Sequence, residues 1–137
     1  MNIGSSGANG KTTEMEIFHK SFPIYTTKLN RACFTKNCPK IHKYMFKLVT
    51  EPIRLAYINE LDENQLDVEL LKDCCDHNAS LPLDKMYGTM CENSRIQATF
   101  ITTSNKDPNL KSESALTRRM TVQNYESRFV SEEFVDS

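Results

Sequence analysis

The stretch that decides how this chain is read is Ser5-Ser6-Gly7-Ala8-Asn9-Gly10-Lys11-Thr12, SSGANGKT, which runs directly into the polar segment Thr13 to Ser21. A loop that wraps phosphate has the form GxxxxGK[ST]. Small residues let successive backbone N–H groups curl around phosphate oxygens, the lysine is a point charge for the β/γ-phosphates, and the hydroxyl is offered to Mg²⁺. Gly10, Lys11 and Thr12 fit this pattern, while Ser5 stands where the first glycine is expected and Gly4 lies one position early. Three of the four glycines in the chain lie between Gly4 and Gly10, so backbone freedom is concentrated at this loop. The spacing predicts a helix over Lys11 to Ser21, stopped by Pro23. Its N-terminal dipole end adds to the anion site. The competing reading is a flexible Gly/Ser N-terminus followed by a lysine. Such a loop normally follows a buried strand, and with only Met1, Asn2 and Ile3 ahead of it that strand is expected to be lacking.

Downstream, a phosphate loop needs a second strand that ends in an acid. Arg54 to Asn59, RLAYIN, is a short apolar run between Pro52 and an acidic cluster, the pattern of a buried strand ending in charge. Glu60 is the first acid beyond it, placed to hold Mg²⁺ or orient water. Asp62 and Glu63 read better as the acidic first turn of the next helix. Asn64 to Asp76 is amphipathic, with Leu66, Leu70 and Cys74 at four-residue spacing. A further helix is predicted at Lys40 to Val49, and Ile24 to Leu29 is read as extended. Leu81 to Tyr87 and Ile96 to Thr103 alternate enough to be strands. They are read as a hairpin across Gly88 and the polar Glu92-Asn93-Ser94. Ala98 to Asn105 ends in a polar tip whose asparagine suits a γ-phosphate or a water. Asn105 to Ser114 is a polar loop, Leu116 to Met120 carries the pair Arg118-Arg119, and Met120 to Tyr125 is a last strand. Paired arginines have the forked, permanent charge that suits phosphate. A salt bridge is the ordinary alternative for one of them. The order of elements is that of an α/β domain.

Composition bounds the reading. The chain has 137 residues, 17 basic against 18 acidic side chains, and 39% hydrophobic residues. One domain of this size can bury a real core, and a net charge of −1 argues against broad coating of nucleic acid. No stretch of 18 apolar residues occurs, and the opening residues lack the basic-then-apolar pattern of a secretion signal. Charge is nonetheless divided. Residues 1–53 hold eight basic and three acidic side chains, and residues 54–76 hold two basic and seven acidic, a swing from +5 to −5.

SSGANGKT, RLAYINELDE, DKMYGT, ATFITTSNKDP and LTRRMTVQNYESRFV stand in one order, and together the set resembles the superfamily 3 helicase core. The nearest likeness is to the C-terminal ATPase part of poxvirus-type primase-helicases of large DNA viruses, over residues 4–130, with an acidic tail at 131–137. The resemblance implies a P-loop NTPase of AAA+-like, three-layer α/β type. It implies an ATP-dependent replicative DNA helicase that works as a homo-hexamer threading a single strand through its pore, alongside other viral replication proteins. Expected localisation is the host cytoplasm or nucleus at viral replication sites, not secreted and not at a membrane. Ser5, Ser6, Gly7, Ala8, Asn9, Gly10, Lys11 and Thr12 would bind ATP, and Thr12 and Glu60 would hold Mg²⁺. Glu60 would activate water, Asn105 would sense the γ-phosphate, and Arg119 would be the arginine finger reaching a neighbouring subunit. Lys85 and Tyr87 would touch DNA from the pore hairpin, one through phosphate and one by stacking. The missing first strand and collar imply a shortened or split gene product. A truncated, non-hydrolysing remnant or assembly module of such a helicase is therefore the alternative.

Five cysteines, without a signal for export, read as reduced thiols. Cys33, Cys38 and His42 with Cys74, Cys75 and His77 have zinc-ligand types at tolerable spacing. The competing reading is buried thiols on apolar helix faces. A small nucleotide kinase would also use a phosphate loop, but a lid with several arginines is not evident.

Overall fold

The apolar run after Pro52 becomes a strand buried on both faces, and the architecture grows from it. Leu55–Ile58 is β3, in which Ala56, Tyr57 and Ile58 are all buried. A computed structural model describes residues 2–3, 10–36, 38, 41–61, 66–76, 81–86, 89–105, 114–126 and 128–129; of residues 2–3, 41–43, 81–86, 89–94 and 116 it describes the backbone alone. β3 pairs in parallel with β2 (Thr26–Lys28) on one side and β6 (Thr99–Ser104) on the other, with Ala56 opposite Thr27 and Phe100. β1 (Asn2–Ile3) continues the sheet beside β6, and β7 (Gln123–Asn124) closes it. The order is β2-β3-β6-β1-β7, and every pairing in it is parallel.

Two expectations are corrected. The strand before the glycine loop is present. Asn2 pairs with Thr103 and Gln123, and Ile3 with Ser104 and Asn124. Two residues suffice because they are held by neighbours on both sides rather than by their own length. The hairpin also differs. β4 (Leu81–Met86) pairs antiparallel with β5 (Thr89–Ser94), not with the segment from Ile96. The TFITTS segment enters the parallel sheet instead, because its β-branched run suits burial on both faces. Thr102, Thr103 and Ser104 are buried there.

The two faces of β3 meet different layers. Ala56 and Ile58 face a core with Cys33, Phe34, Met45, Leu48, Leu71 and Cys74. These come from the 3-10 turn Arg31–Phe34, α2 (Ile41–Thr50) and α3 (Val68–Cys75). The rings of Phe34 and Phe100 meet edge to face at 5.5 Å, a favoured aromatic geometry. Tyr57, one residue out of phase, turns to the opposite face, where its ring meets His19 at 6.1 Å. His19 belongs to α1 (Lys11–Ser21), whose Met15 is buried at 1% exposure. α1 occupies the residues expected of it. Its end is fixed by Phe22 N–H donating to Phe18 O at 3.0 Å, one residue before Pro23. In α3, the Asp67 carboxylate accepts from the Leu70 N–H at 3.1 Å, so the regular helix begins at this cap rather than at Asn64. α4 (Ser114–Thr117) is a single turn ahead of Arg118 and Arg119.

Candidate functional site

The glycine loop leads into α1 through Gly10, whose backbone is left-handed with φ of 84°. The left-handed backbone is what favours glycine there. A side chain would be strained at that φ, and a Cβ would stand 2.9 Å from Cε2 of Phe129. Lys11 follows as the first helical residue and turns toward the sheet, leaving only 6% of it exposed. Its ammonium donates to Oδ1 of Asn105 at 3.2 Å, across 94 residues of sequence. Burial holds the Lys11 ammonium below the usual lysine range, and the Glu60 carboxylate opposes that shift.

Asn105 is the first residue beyond β6, and Glu60 the second beyond β3. Both strands run parallel and are neighbours, so these residues reach the same edge of the sheet. Glu60 has φ of 56°, a left-handed conformation uncommon for a residue with a side chain. Thr103 braces this turn. Its hydroxyl accepts from the Glu60 N–H at 3.1 Å, and its carbonyl accepts from the Leu61 N–H at 3.1 Å. The Glu60 side chain is left exposed. Between strand and acid, Asn59 buries an Oδ1 that has no hydrogen-bond partner among the described residues. Thr12, on the first turn of α1, is exposed.

The structure therefore brings Lys11, Asn105 and Glu60 to one corner. Arg119 is held by other groups. Its Nη1 donates to the Ala115 carbonyl at 2.9 Å and its Nη2 lies 3.7 Å from Asp76 Oδ2. It also lines a cavity of about 300 Å³ with Leu61, Leu71 and Cys75. Ser5, Ser6, Gly7, Ala8, Asn9 and Tyr87 lie outside the described residues, as do the side chain of Lys85 and residues 131–137. Three contributors were not singled out from sequence. Thr103 is one, and only the polar ending of an apolar strand hints at it. The others are Tyr125, whose hydroxyl donates to the Glu14 carboxylate, and Phe129 over Gly10.

Cys33 and Cys74 are buried, and burial pushes both thiols up to about 12. Among the described residues no three His, Cys, Asp or Glu side chains converge as metal ligands; His42 and His77 have side chains outside that set. No helix among the described residues is long and apolar enough to cross a membrane. No protein-family model matches the chain, and no curated protein matches it.

Proposed function

We propose that this chain is the nucleoside-triphosphate-hydrolysing core of a P-loop, superfamily 3 type DNA helicase, with ATP and Mg²⁺ as its working ligands. The observation that carries the reading is the bond from Lys11 to Asn105. The lysine of the phosphate loop and the asparagine at the tip of a different strand were picked out separately by residue type, and they touch. The strand order supports it as well. From β1 the chain crosses to the far edge at β2, returns through β3 and β6, and finally passes β1 to reach β7. β1 is thus the point at which the winding reverses, and ligands of open parallel sheets bind beyond the carboxyl ends of strands at such a point. The SSGANGKT loop follows β1 directly.

In this reading Lys11 neutralises β- and γ-phosphate oxygens, and Asn105, now bonded to Lys11, passes to the γ-phosphate when nucleotide arrives. Glu60 orients the attacking water. Thr12 and Glu60 would hold Mg²⁺, which supplies charge neutralisation at the phosphates when bound, and the Asn59 oxygen, unpartnered among the described residues, fits that hard-cation chemistry. Arg119 serves a neighbouring subunit of a homo-hexamer around single-stranded DNA, in which Lys85 and Tyr87 of the β4–β5 hairpin meet the strand. An ATPase assay with and without single-stranded DNA tests the proposal. Lys11→Ala and Arg119→Ala should each remove turnover, and a rate untouched by both overturns it.

One observation favours the second reading, a non-hydrolysing remnant or assembly module. Arg119, though exposed, is engaged within its own chain by Asp76 and the Ala115 carbonyl. Light scattering with a non-hydrolysable ATP analogue separates the two. A hexamer supports the helicase core, and a monomer that binds the analogue weakly by calorimetry supports the module.

A further inference from the structure

The two edges of β6 are not equally covered. On one side β3 runs beside it from Leu55 opposite Thr99 to Ile58 opposite Thr102. On the other side β1 pairs with Thr103 and Ser104 alone. Among the described residues no strand pairs with Thr99 to Thr102 on that second side. The main chain there has bonds to offer. The Thr99 N–H donates to the Arg54 carbonyl at 2.8 Å and the Thr103 carbonyl accepts from the Leu61 N–H at 3.1 Å, so both residues face β3. Successive residues of a strand turn their N–H and C=O to opposite edges. Phe100 and Thr102 therefore turn theirs away from β3, and half-buried main-chain groups call for partners. On that side lies the cavity of about 300 Å³ that Arg119 also lines, with Thr99 to Thr102 against it and Met120 and Thr121 across it.

We propose that this cavity is an acceptor slot for a strand donated by a separate polypeptide, an extended apolar segment that adds to β6 in parallel, opposite Thr99 to Thr102. The sheet register defines the slot. Asn2 lies between Thr103 and Gln123, and Ile3 between Ser104 and Asn124. Carried back along the sheet, that register runs a strand between Thr99–Thr102 and the stretch ending at Val122. The donor ends where β1 begins, so the two do not compete for Thr103 and Ser104. Phe100 and Thr102 supply the main-chain bonds. Neighbouring residues in register share a face, and the Phe100 side chain packs on the core that includes Leu61 and Leu71. A donor side chain level with Phe100 meets Leu61, Leu71 and Cys75, which line the same cavity. Main-chain bonds give such strand addition its affinity, and pockets for alternate side chains give it specificity. The lining selects a neutral donor. Its one charged residue is Arg119, already engaged by Asp76 and the Ala115 carbonyl, and a cation at the centre of the donor would be set against it. β-Branched apolar residues suit the position, since it is flanked by strands on both sides. The inference does not depend on the ATP reading; it requires only the pairing of β6.

Amide hydrogen exchange of the full chain, without nucleotide, tests the inference. The probe is an acetylated and amidated peptide with a Val-Ile-Val-Val centre and a lysine at each end. At saturation it should slow exchange of the Phe100 and Thr102 amides by about tenfold or more. The amides of Leu55 to Ile58, already within the sheet, should not change. The same peptide with its central amides N-methylated cannot donate main-chain bonds and should protect neither residue. Equal protection by both peptides, protection by neither, or protection confined to other segments overturns strand addition. Two further measurements identify the donor. Phe100 and Thr102 amides that are protected in the chain alone, increasingly so as its concentration rises, would assign the slot to a second copy and overturn the separate donor. A chain carrying Val-Ile-Val-Val directly ahead of Met1 gives the last comparison. Protection in that chain with none from the peptide would make the slot a continuation of β1 and overturn donation.

Discussion

The corner formed by β3 and β6 and the segment from Ser114 to Phe129 both carry residues assigned to ATP chemistry, yet they are built differently. At the corner, Glu60 and Asn105 end strands that are paired on both sides and buried over a shared core. The Glu60–Leu61 turn is fixed by Thr103 through two hydrogen bonds. The later segment has a one-turn helix, a two-residue strand whose side chains are exposed, and Val122 at 52% exposure. Its ties among the described residues include the pairing of β7 with β1, Met120 against the core, Arg119 to Asp76 and to the Ala115 carbonyl, and Tyr125 to Glu14. Position at the corner is therefore set by core packing. Position along the segment rests on a two-residue edge pairing, one partly buried side chain and polar contacts that are weak at exposed sites.

The largest expected effect tests the segment. Arg119→Ala should lower ATP turnover by about 10³-fold or more, in the range typical of an arginine finger. It should leave the thermal midpoint almost unchanged, because its ion pair with Asp76 is solvent-exposed. Steady-state kinetics and a melting curve on one preparation measure both. A large loss of stability would show that Arg119 is part of the scaffold and erase the contrast.

Next comes a pair of truncations, one in each region. Ile58→Ala removes a side chain with 0% exposure beneath Glu60 and should cost about 2–5 kcal/mol of stability. Val122→Ala should stay within about 0.5 kcal/mol. Urea titration measures both, and similar costs for the two would mean that the segment has core packing of its own. Gly10 lies between these extremes. Gly10→Ala meets both a left-handed φ and the Phe129 ring, so a loss of more than about 1 kcal/mol is expected. Adding Phe129→Ala should recover part of that loss, since it removes the steric share and leaves the backbone share.

The same contrast explains what could be read from residues alone. Lys11–Ser21 was legible to the residue because a glycine loop at one end and a proline beyond the other define a helix locally. RLAYIN was legible because continuous apolarity with no alternation means burial on both faces. Lys11 and Asn105 were each legible as polar residues at a loop and at a strand tip, and their contact became visible only in the structure. What escaped depends on partners distant in sequence. Two residues such as Asn2 and Ile3 show no strand periodicity; Thr103 and Gln123 on either side make them one. The pairing of Leu81–Met86 went to Thr89–Ser94 because the parallel sheet claims Thr99–Ser104, and no local signal in Glu92-Asn93-Ser94 reports that competition. The contact of Phe129 with Gly10 was not legible because the two lie at opposite ends of the chain.

The smallest effect is one of pH, and it probes the corner alone. Burial lowers the pKa of Lys11 from 10.5 and the Glu60 carboxylate partly restores it. Two consequences of opposite sign follow. Between the folded value and 10.5 the unfolded chain holds the proton that the folded chain has lost. The Lys11 contribution to folding stability therefore rises with pH in that window. Tripolyphosphate binding needs the charged ammonium, so affinity falls with pH over the same window, and it begins to fall at lower pH than it would for an exposed lysine. Glu60→Gln removes the carboxylate that raises the pKa, so the fall in affinity should move to still lower pH. Titration of tripolyphosphate across this range in the parent and in Glu60→Gln measures the displacement. An unmoved profile would separate Glu60 electrically from Lys11, and the corner would then be two neighbouring strand ends rather than one site.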